Sequence, residues 1–315
     1  MKKTIVIVSL AFSLGVSQAL SLEGVSENRA VRFFHACAVA KQENATYRMS
    51  PEAMPAGVNF EDCCGLNLPE KVRCSILKLS GEPGNLPARF DWREQNGVSA
   101  VKSQGSAMCC WAFSLTGAFE SQIMINEKTE VDLSEQDLIS CNSNHYSCQG
   151  GFLDAAQYFQ DKGVALEKDY PYAGHDAECV NTATRPYRIS GWQIFDNNQE
   201  TSPAPEKLKQ AIEEYGPICC CMVTDDNFSF YKGGVYNHDA QGKINHAVIL
   251  VGWDDSMGNG GCWILKNSHG TDWGDKGFMY IEYGKSRVGT MPTTITYSGA
   301  IASSSLDQNP EVDQM

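Results

Sequence analysis

A chain of 315 residues, 42% hydrophobic and 20% charged, has the length to bury a sizeable core in one large or two small domains. Its formal net charge of −13 argues against nucleic acid as a partner, because phosphate backbones reward clustered Lys and Arg. The cysteine count of 13 is odd, so at least one thiol stays outside any set of intrachain disulfides.

Residues 1–19 read as an export signal. Lys2 and Lys3 form the charged start, Ile5 to Leu14 the apolar stretch, and Ser17-Gln18-Ala19 a small-x-small cleavage site. That stretch is short for a span, and no later segment has the roughly 18 apolar residues a membrane helix needs. The expectation is an exported chain, secreted, periplasmic or in a lysosome-like compartment depending on the host. No membrane attachment is expected after signal removal, and cysteines in such a chain are expected to pair. Residues 20–85 carry Cys37, Cys63, Cys64 and Cys74 among scattered prolines and glycines and end in Gly81-Glu82-Pro83-Gly84-Asn85. Their position suits a propeptide removed near Leu86, and it suits equally an extension that is never removed. Asn-x-Ser/Thr sequons stand at Asn44 and Asn227.

From Leu86 the pattern is helix-rich first and strand-rich later. Residues 110–126 place Trp111, Phe113, Leu115, Ala118, Phe119, Ile123 and Ile125 at helical spacing. Ser134 with Asp137 reads as a capping-box variant opening a helix through Ile139. Phe152 to Phe159 reads as a further helix stopped near Gly163, and Pro205 to Tyr215 as an amphipathic one ended by Gly216-Pro217. Strand runs follow at 218–223, 247–253, 262–266, 278–281 and 293–297. Residues 302–315 are polar, without periodicity, and read as a loose tail.

Four separate blocks carry most of the information: Pro87 to Arg89 with Asp91-Trp92-Arg93; Gln104-Gly105 ahead of Cys110-Trp111-Ala112-Phe113-Ser114; His246 in an apolar strand; and Lys266-Asn267-Ser268 before Gly270-Thr271-Asp272-Trp273-Gly274. From about Leu86 to about Tyr297 the chain resembles the papain-like cysteine proteases, which have this order of glutamine, cysteine, histidine and asparagine. The resemblance implies an α+β fold of two lobes, a helical lobe facing an antiparallel β-barrel lobe, with the active site in the cleft between. It implies a secreted endopeptidase acting through an acyl-enzyme, without cofactor or metal, on peptide or protein substrates, as a monomer. Residues 86–301 would form the peptidase domain. The long interspersed helix of the common inhibitory propeptides is not evident in residues 20–85.

On this reading Cys110 is the nucleophile. A thiol is mostly protonated at neutral pH; a helix N-terminus and an adjacent imidazolium lower its pKa, and a helix opening at Cys110 with His246 opposite supplies both. His246 then donates its proton to the leaving amine. Asn267 would orient the His246 ring, and the Gln104 side chain with the backbone N–H of Cys110 would hold the oxyanion. Cys148-Gln149-Gly150-Gly151 resembles the substrate-binding strand, where Gly150 and Gly151 let two backbones approach closely. Phe152, Leu153, Cys221, Asn245 and Ala247 are carried over to the pocket for the second side chain upstream of the cut, with an apolar or aromatic preference. Trp273 joins the substrate-binding set. The short stretch between Cys148 and Cys179 leaves little room for a histidine-bearing occluding loop. His35, His145, His175 and His238 lack motifs and read as surface residues, and the adjacent cysteine pairs are poor zinc geometry.

The resemblance also implies a Cys141–Cys179 disulfide. It is broken at Ala107, where the family has the cysteine that pairs with the position of Cys148. Three fates for Cys148 stand: pairing with Cys109, pairing with a cysteine of residues 20–85, or remaining free. Met108 replaces a glycine beside the cleft and is expected to narrow access. His269 replaces the tryptophan that covers the Asn–His bond, so a partly wet bond is expected there. These departures keep a second reading in view, a catalytically impaired peptide-binding protein on the same fold. A thiol redox protein is less well supported, because the cysteines lack Cys-x-x-Cys spacing.

Overall fold

A computed structural model describes residues 27–54, 64–69, 72, 79 and 84–299. The export signal at 1–19, Cys63, Cys74 and the tail at 302–315 lie outside the described residues.

The central helix α2 spans Cys110–Glu127 and is buried at every position from Cys110 to Ile123. Its buried face runs all the way round, as in a helix inside a molecule, and it packs against α3 on one side and β4, β6 and β9 on the other. At Gly117 a β-carbon would come within 2.8 Å of Ile249 Cδ1, so the glycine admits a strand close to the helix. The helix stops where Lys128 turns left-handed and its N–H caps the Met124 carbonyl. Around α2 lie α3 (Glu135–Cys141), with the expected Ser134 cap bonding Asp137 N–H at 2.9 Å, and α4 (Ala156–Asp161). The single helix expected from Phe152 is corrected: Phe152 is extended, and a 3-10 turn at Leu153–Ala155 precedes α4. Trp111, Phe119, Phe152 and Phe159 fill this helical core.

The second core lies against a sheet. Its strands are β1 (Tyr47–Met49), β2 (Arg89–Asp91), β3 (Gly191–Ile194), β4 (Ile218–Met222), β5 (Tyr231–Tyr236), β6 (His246–Asp254), β7 (Cys262–Lys266), β8 (Phe278–Glu282) and β9 (Thr290–Thr296). They run in the order β1-β5-β8-β7-β6-β4-β9-β3, with β2 also on β6. All nine residues of β6 are buried. Val248 and Leu250 share a core with Leu208, Ala211 and Ile212 of the helix α5 (Pro205–Tyr215), while Ala247 belongs to the core around α2. The two-lobed α+β arrangement therefore stands, but the closed antiparallel barrel does not. Its terminal strands β1 and β3 do not pair with each other, and β5 runs parallel to β8.

The N-terminal segment is built onto the sheet lobe. A 16-residue helix α1 (Glu27–Gln42), absent from the sequence reading, packs on the short α6 (Asp226–Ser229). Phe33 meets Phe230 edge-on at 5.2 Å, and Arg32 Nε donates to Asp226 at 3.0 Å. β1 adds itself to the edge of β5. His238 is not the surface residue expected: it is buried between Glu43 of this segment and Asp225, which it meets at 2.7 Å. Those two carboxylates outweigh burial and raise its pKa to about 9. Asn227, one of the two sequons, is likewise buried, and its side-chain oxygen accepts from Tyr47 Oη at 3.0 Å.

Candidate active site

Cys110 is the first residue of α2 and His246 the first of β6, so the two lobes deliver them to one place. Cys110 Sγ accepts from the backbone N–H of Ala247 at 3.4 Å. His246 Nε2 meets Asn267 Oδ1 at 2.8 Å, and Asn267 is held just beyond the end of β7. An amide oxygen accepts only, so neutral His246 carries its proton on Nε2 and presents a basic Nδ1. Nδ1 is buried with no hydrogen-bond partner among the described residues.

Gln104 joins the group through Ser268. Its backbone N–H donates to the Ser268 carbonyl at 2.9 Å, its Oε1 accepts from Ser268 Oγ at 2.6 Å, and its Nε2 donates to Ala107 O at 2.7 Å. The sequence reading missed Ser268, although its place next to Asn267 was a usable signal. His269 contradicts the expected wet bond. It is 2% exposed, and its Nδ1 lies 3.1 Å from Asn267 Nδ2. Trp273 is not at the cleft surface; it is buried, with Phe228 at 4.9 Å and His269 at 5.7 Å between ring centres.

Residues 64–69 of the N-terminal segment lie along this site. Asn67 N–H donates to Gly151 O at 2.9 Å and Gly151 N–H to Gly65 O at 3.0 Å, a parallel bridge centred on Leu66 and Gly151. At Gly150 a β-carbon would lie 2.7 Å from the Asn67 side chain. At Gly151 it would strike the Trp111 ring at 2.5 Å, so there the glycine accommodates an indole beneath it. Gly65 N–H also bonds the Cys110 thiol. Leu66, Leu68 and Val72 pack on the core that holds Cys110, Cys221 and Ala247. Phe152 and Leu153, expected to border the pocket, are fully buried within that core. Asn245 is tied to Thr224, donating to its carbonyl at 3.0 Å and accepting from its N–H at 2.8 Å. Cys64 Sγ lies 3.3 Å from Thr224 Oγ1, so the segment reaches the loop after β4 as well.

Coverage sets the electrostatics. Burial pushes the Cys110 thiol up, against opposing hydrogen bonds from Gly65, Ala247 and its own helix N-terminus. Burial also pulls His246 down to about 4, against the Asn267 bond. A thiolate beside an imidazolium is the pair expected from the sequence; in the covered site the neutral pair is favoured, because burial of both groups withholds solvation from their charges.

Below the site a buried ionic group ties the lobes together. Lys266 Nζ donates to Ser99 Oγ at 2.8 Å, and Ser99 Oγ donates to Glu120 Oε2 at 2.6 Å. Lys102 Nζ stands 2.8 Å from Glu120 and 3.0 Å from Glu135. Lys266 directly precedes Asn267, so this group anchors the end of β7 to α2. Cys141 and Cys179 form a disulfide, as the resemblance implied. Cys109 and Cys148 are both buried and unbridged, with their thiols hydrogen-bonded to each other.

Residues 86–298 match the family model described as papain family cysteine protease. A viral cathepsin of Lymantria dispar multicapsid nuclear polyhedrosis virus is 36% identical over 221 residues, 69% of this chain and 61% of the relative. The senescence-specific cysteine protease SAG12 of Arabidopsis thaliana is 35% identical over 228 residues, 71% of this chain and 64% of the relative. The chain thus spans less than two thirds of the length of either. Among solved structures, digestive procathepsin L2 from Tenebrio molitor larval midgut superposes with a TM-score of 0.72 at 28% identity, covering 90% of this chain and 96% of that one. Bromelain from Ananas comosus, bound to the inhibitor E64, covers 68% of this chain and all of its own, with a TM-score of 0.61 at 29% identity.

Proposed function

The chain belongs to the papain family of cysteine proteases, and from that membership we propose that it is an exported cysteine-type endopeptidase held latent by residues 20–85. The observation that carries this reading is the proton arrangement at the site. Asn267 fixes the His246 proton on Nε2, leaving Nδ1 as the basic nitrogen, and the next residue, Ala247, donates its N–H to the Cys110 thiol that opens a helix. In the uncovered cleft Nδ1 takes the Cys110 proton, and the thiolate attacks the scissile carbonyl carbon. Gln104, oriented by Ser268, and the Cys110 N–H hold the oxyanion. His246 returns the proton to the leaving amine, and water then opens the thioester, regenerating the thiol.

The bridge at Gly151 and the packing of Leu66 and Leu68 support latency, since they occupy the strand and apolar wall that an extended peptide would use. The likeness to a procathepsin over 90% of this chain supports the same reading. Cys221, Asn245 and Ala247 then favour an apolar or aromatic side chain at the second position upstream of the cut.

The test is an epoxysuccinyl peptide applied to the purified protein after residues 20–85 have been removed. A single adduct on Cys110, with peptide hydrolysis abolished in step, supports the reading. An adduct on Cys110 in a protein that hydrolyses no peptide would favour the impaired peptide-binding alternative, and no adduct on Cys110 would overturn the assignment.

A further inference from the structure

Resting on His246 as the base of that reaction, the geometry points to His269 as a positioning residue that decides which end of the Asn267 amide faces His246. An amide side chain presents an oxygen and an NH2 group of nearly equal size, so packing alone does not choose between them. Here the choice sets the chemistry. With Oδ1 toward His246, Nε2 carries the ring proton and Nδ1 is free to act as base. Rotated by half a turn, the amide would set Nδ2–H against Nε2–H, drive the proton to Nδ1 and take from that nitrogen the lone pair a base needs.

Two contacts oppose that rotation. Ser268 N–H donates to Asn267 Oδ1 at 2.9 Å, and Asn267 Nδ2 donates to His269 Nδ1 at 3.1 Å. The second requires His269 to keep Nδ1 unprotonated and carry its proton on Nε2. His269 Nε2 is buried and has no hydrogen-bond partner among the described residues. A buried unsatisfied N–H is unfavourable, and such groups persist where another atom of the same side chain is needed. A hydrocarbon ring would avoid that cost entirely. Shielding does not require the imidazole either, because Phe228 and Trp273 already stand edge-on to it, at 6.0 and 5.7 Å between ring centres, and Phe228 stands edge-on to His246 at 5.5 Å. What His269 alone contributes is the acceptor at Nδ1.

The experiment compares His269→Phe, which keeps an aromatic ring without an acceptor, with His269→Asn, whose Oδ1 stands where Nδ1 stood. In the processed enzyme the Phe variant should lose roughly 3- to 10-fold in kcat with KM little changed, the range expected for one orienting hydrogen bond. The Asn variant, though smaller and less well packed, should recover more of kcat than Phe does. A space-filling role gives the reverse order, with Phe close to wild type and Asn worst, and that order would overturn the proposal. A second readout needs no turnover: the imidazole 15N resonances of His246 in the full chain carrying Cys110→Ala. They should show the Nε2–H tautomer alone with His269 present and a mixture of tautomers in His269→Phe. An unchanged tautomer in the Phe variant would refute the positioning role. Absence of hydrolysis by the wild type alongside the expected tautomer shift would leave the positioning role standing and remove the peptidase reading instead.

Discussion

Gly65 and Met108 pass each other with no room for a β-carbon: one built on Gly65 would lie 2.1 Å from the Met108 carbonyl oxygen and 2.3 Å from its Cβ. Met108 stands where relatives of this chain were expected to have glycine, so here the tolerance sits on the N-terminal segment instead. Gly65→Ala should push that segment off the Cys110 thiol and the Gly151 backbone, since the clash is with main chain and cannot be relieved by a rotamer change. The expected outcome is a leaky precursor, measured as faster reaction of Cys110 with an epoxysuccinyl peptide in the unprocessed protein. Labelling as slow as in wild type would show that the segment re-routes without losing its grip.

Acid should loosen the same cover. His246 is held neutral in the covered site, its pKa lowered to about 4 by burial. Once uncovered and hydrated it moves toward the ordinary value near 6.5. The uncovered form then binds more protons between pH 6.5 and 4, so falling pH through that window drives the equilibrium toward uncovering. In a Cys110→Ala background, which prevents self-cleavage, exchange of the Gly151 amide that donates to Gly65 should rise across the window after correction for intrinsic exchange. The further change His246→Gln should flatten that rise. A rise of equal size in the Gln variant would assign the acid response to other groups.

Glu120 is 1% exposed and serves three partners at once: Lys102 at 2.8 Å, Ser99 Oγ at 2.6 Å and Leu133 N–H at 2.9 Å. Glu120→Ala should destabilise the fold by about 3–5 kcal/mol, because it breaks a buried ion pair with Lys102 and leaves the buried Ser99 hydroxyl and Leu133 N–H without their acceptor. Asp132 also contacts Lys102, at 2.7 Å, but its side chain is 66% exposed. Asp132→Ala should therefore cost less than about 1 kcal/mol. Denaturant midpoints of the two variants check the contrast, and similar losses for both would show that the burial argument misjudges this cluster.

The reacting residues were legible because each sits in a short motif with fixed neighbours: Cys110 before Trp111-Ala112-Phe113-Ser114, Asn267 between Lys266 and Ser268. Helices and strands with strong periodicity were legible for the same local reason, α5 and β7 to the residue. The N-terminal segment was not. The core-facing residues of α1 are Ala30, Phe33, Ala36 and Ala40, three of them too small to stand out from the helix's polar remainder. β1 and β2 have three residues each and exist only because β5 and β6 offer edges to pair with. The burial of His238 depends on chain arriving from 195 residues away, and the occupation of the cleft at Gly151 on chain about 85 residues away. No local pattern encodes such encounters. At His269 the residue type was noticed, but its acceptor role became visible only with Asn267 placed beside it.

Cys109 and Cys148 set the last prediction, which separates neighbouring thiols by their surroundings. Cys110 faces Ala247 and the N-terminal segment, whereas Cys109 turns to Cys148 and to Tyr172 Oη at 3.0 Å. Cys110→Ala should therefore abolish hydrolysis and Cys109→Ser should keep it. Cys148 is buried but lines a surface depression shared with Ala107, Met108, Gln149, His175 and Asp176, so exchange with a small disulfide such as oxidised glutathione is expected to start at Cys148. The Cys148 thiolate attacks one sulfur and releases one thiol; Cys109 then attacks the mixed disulfide and releases the second. Two protein thiols are oxidised and one small disulfide is reduced to two thiols. Treated wild type should lose two countable thiols, yield a peptide linking Cys109 to Cys148, and gain up to about 2–5 kcal/mol in stability, taking the place of the bridge that Ala107 cannot make. Cys109→Ser should show neither the lost thiols nor the gain. A linked peptide joining Cys109 to Cys110, or Cys148 to a cysteine of residues 20–85, would sink this pairing.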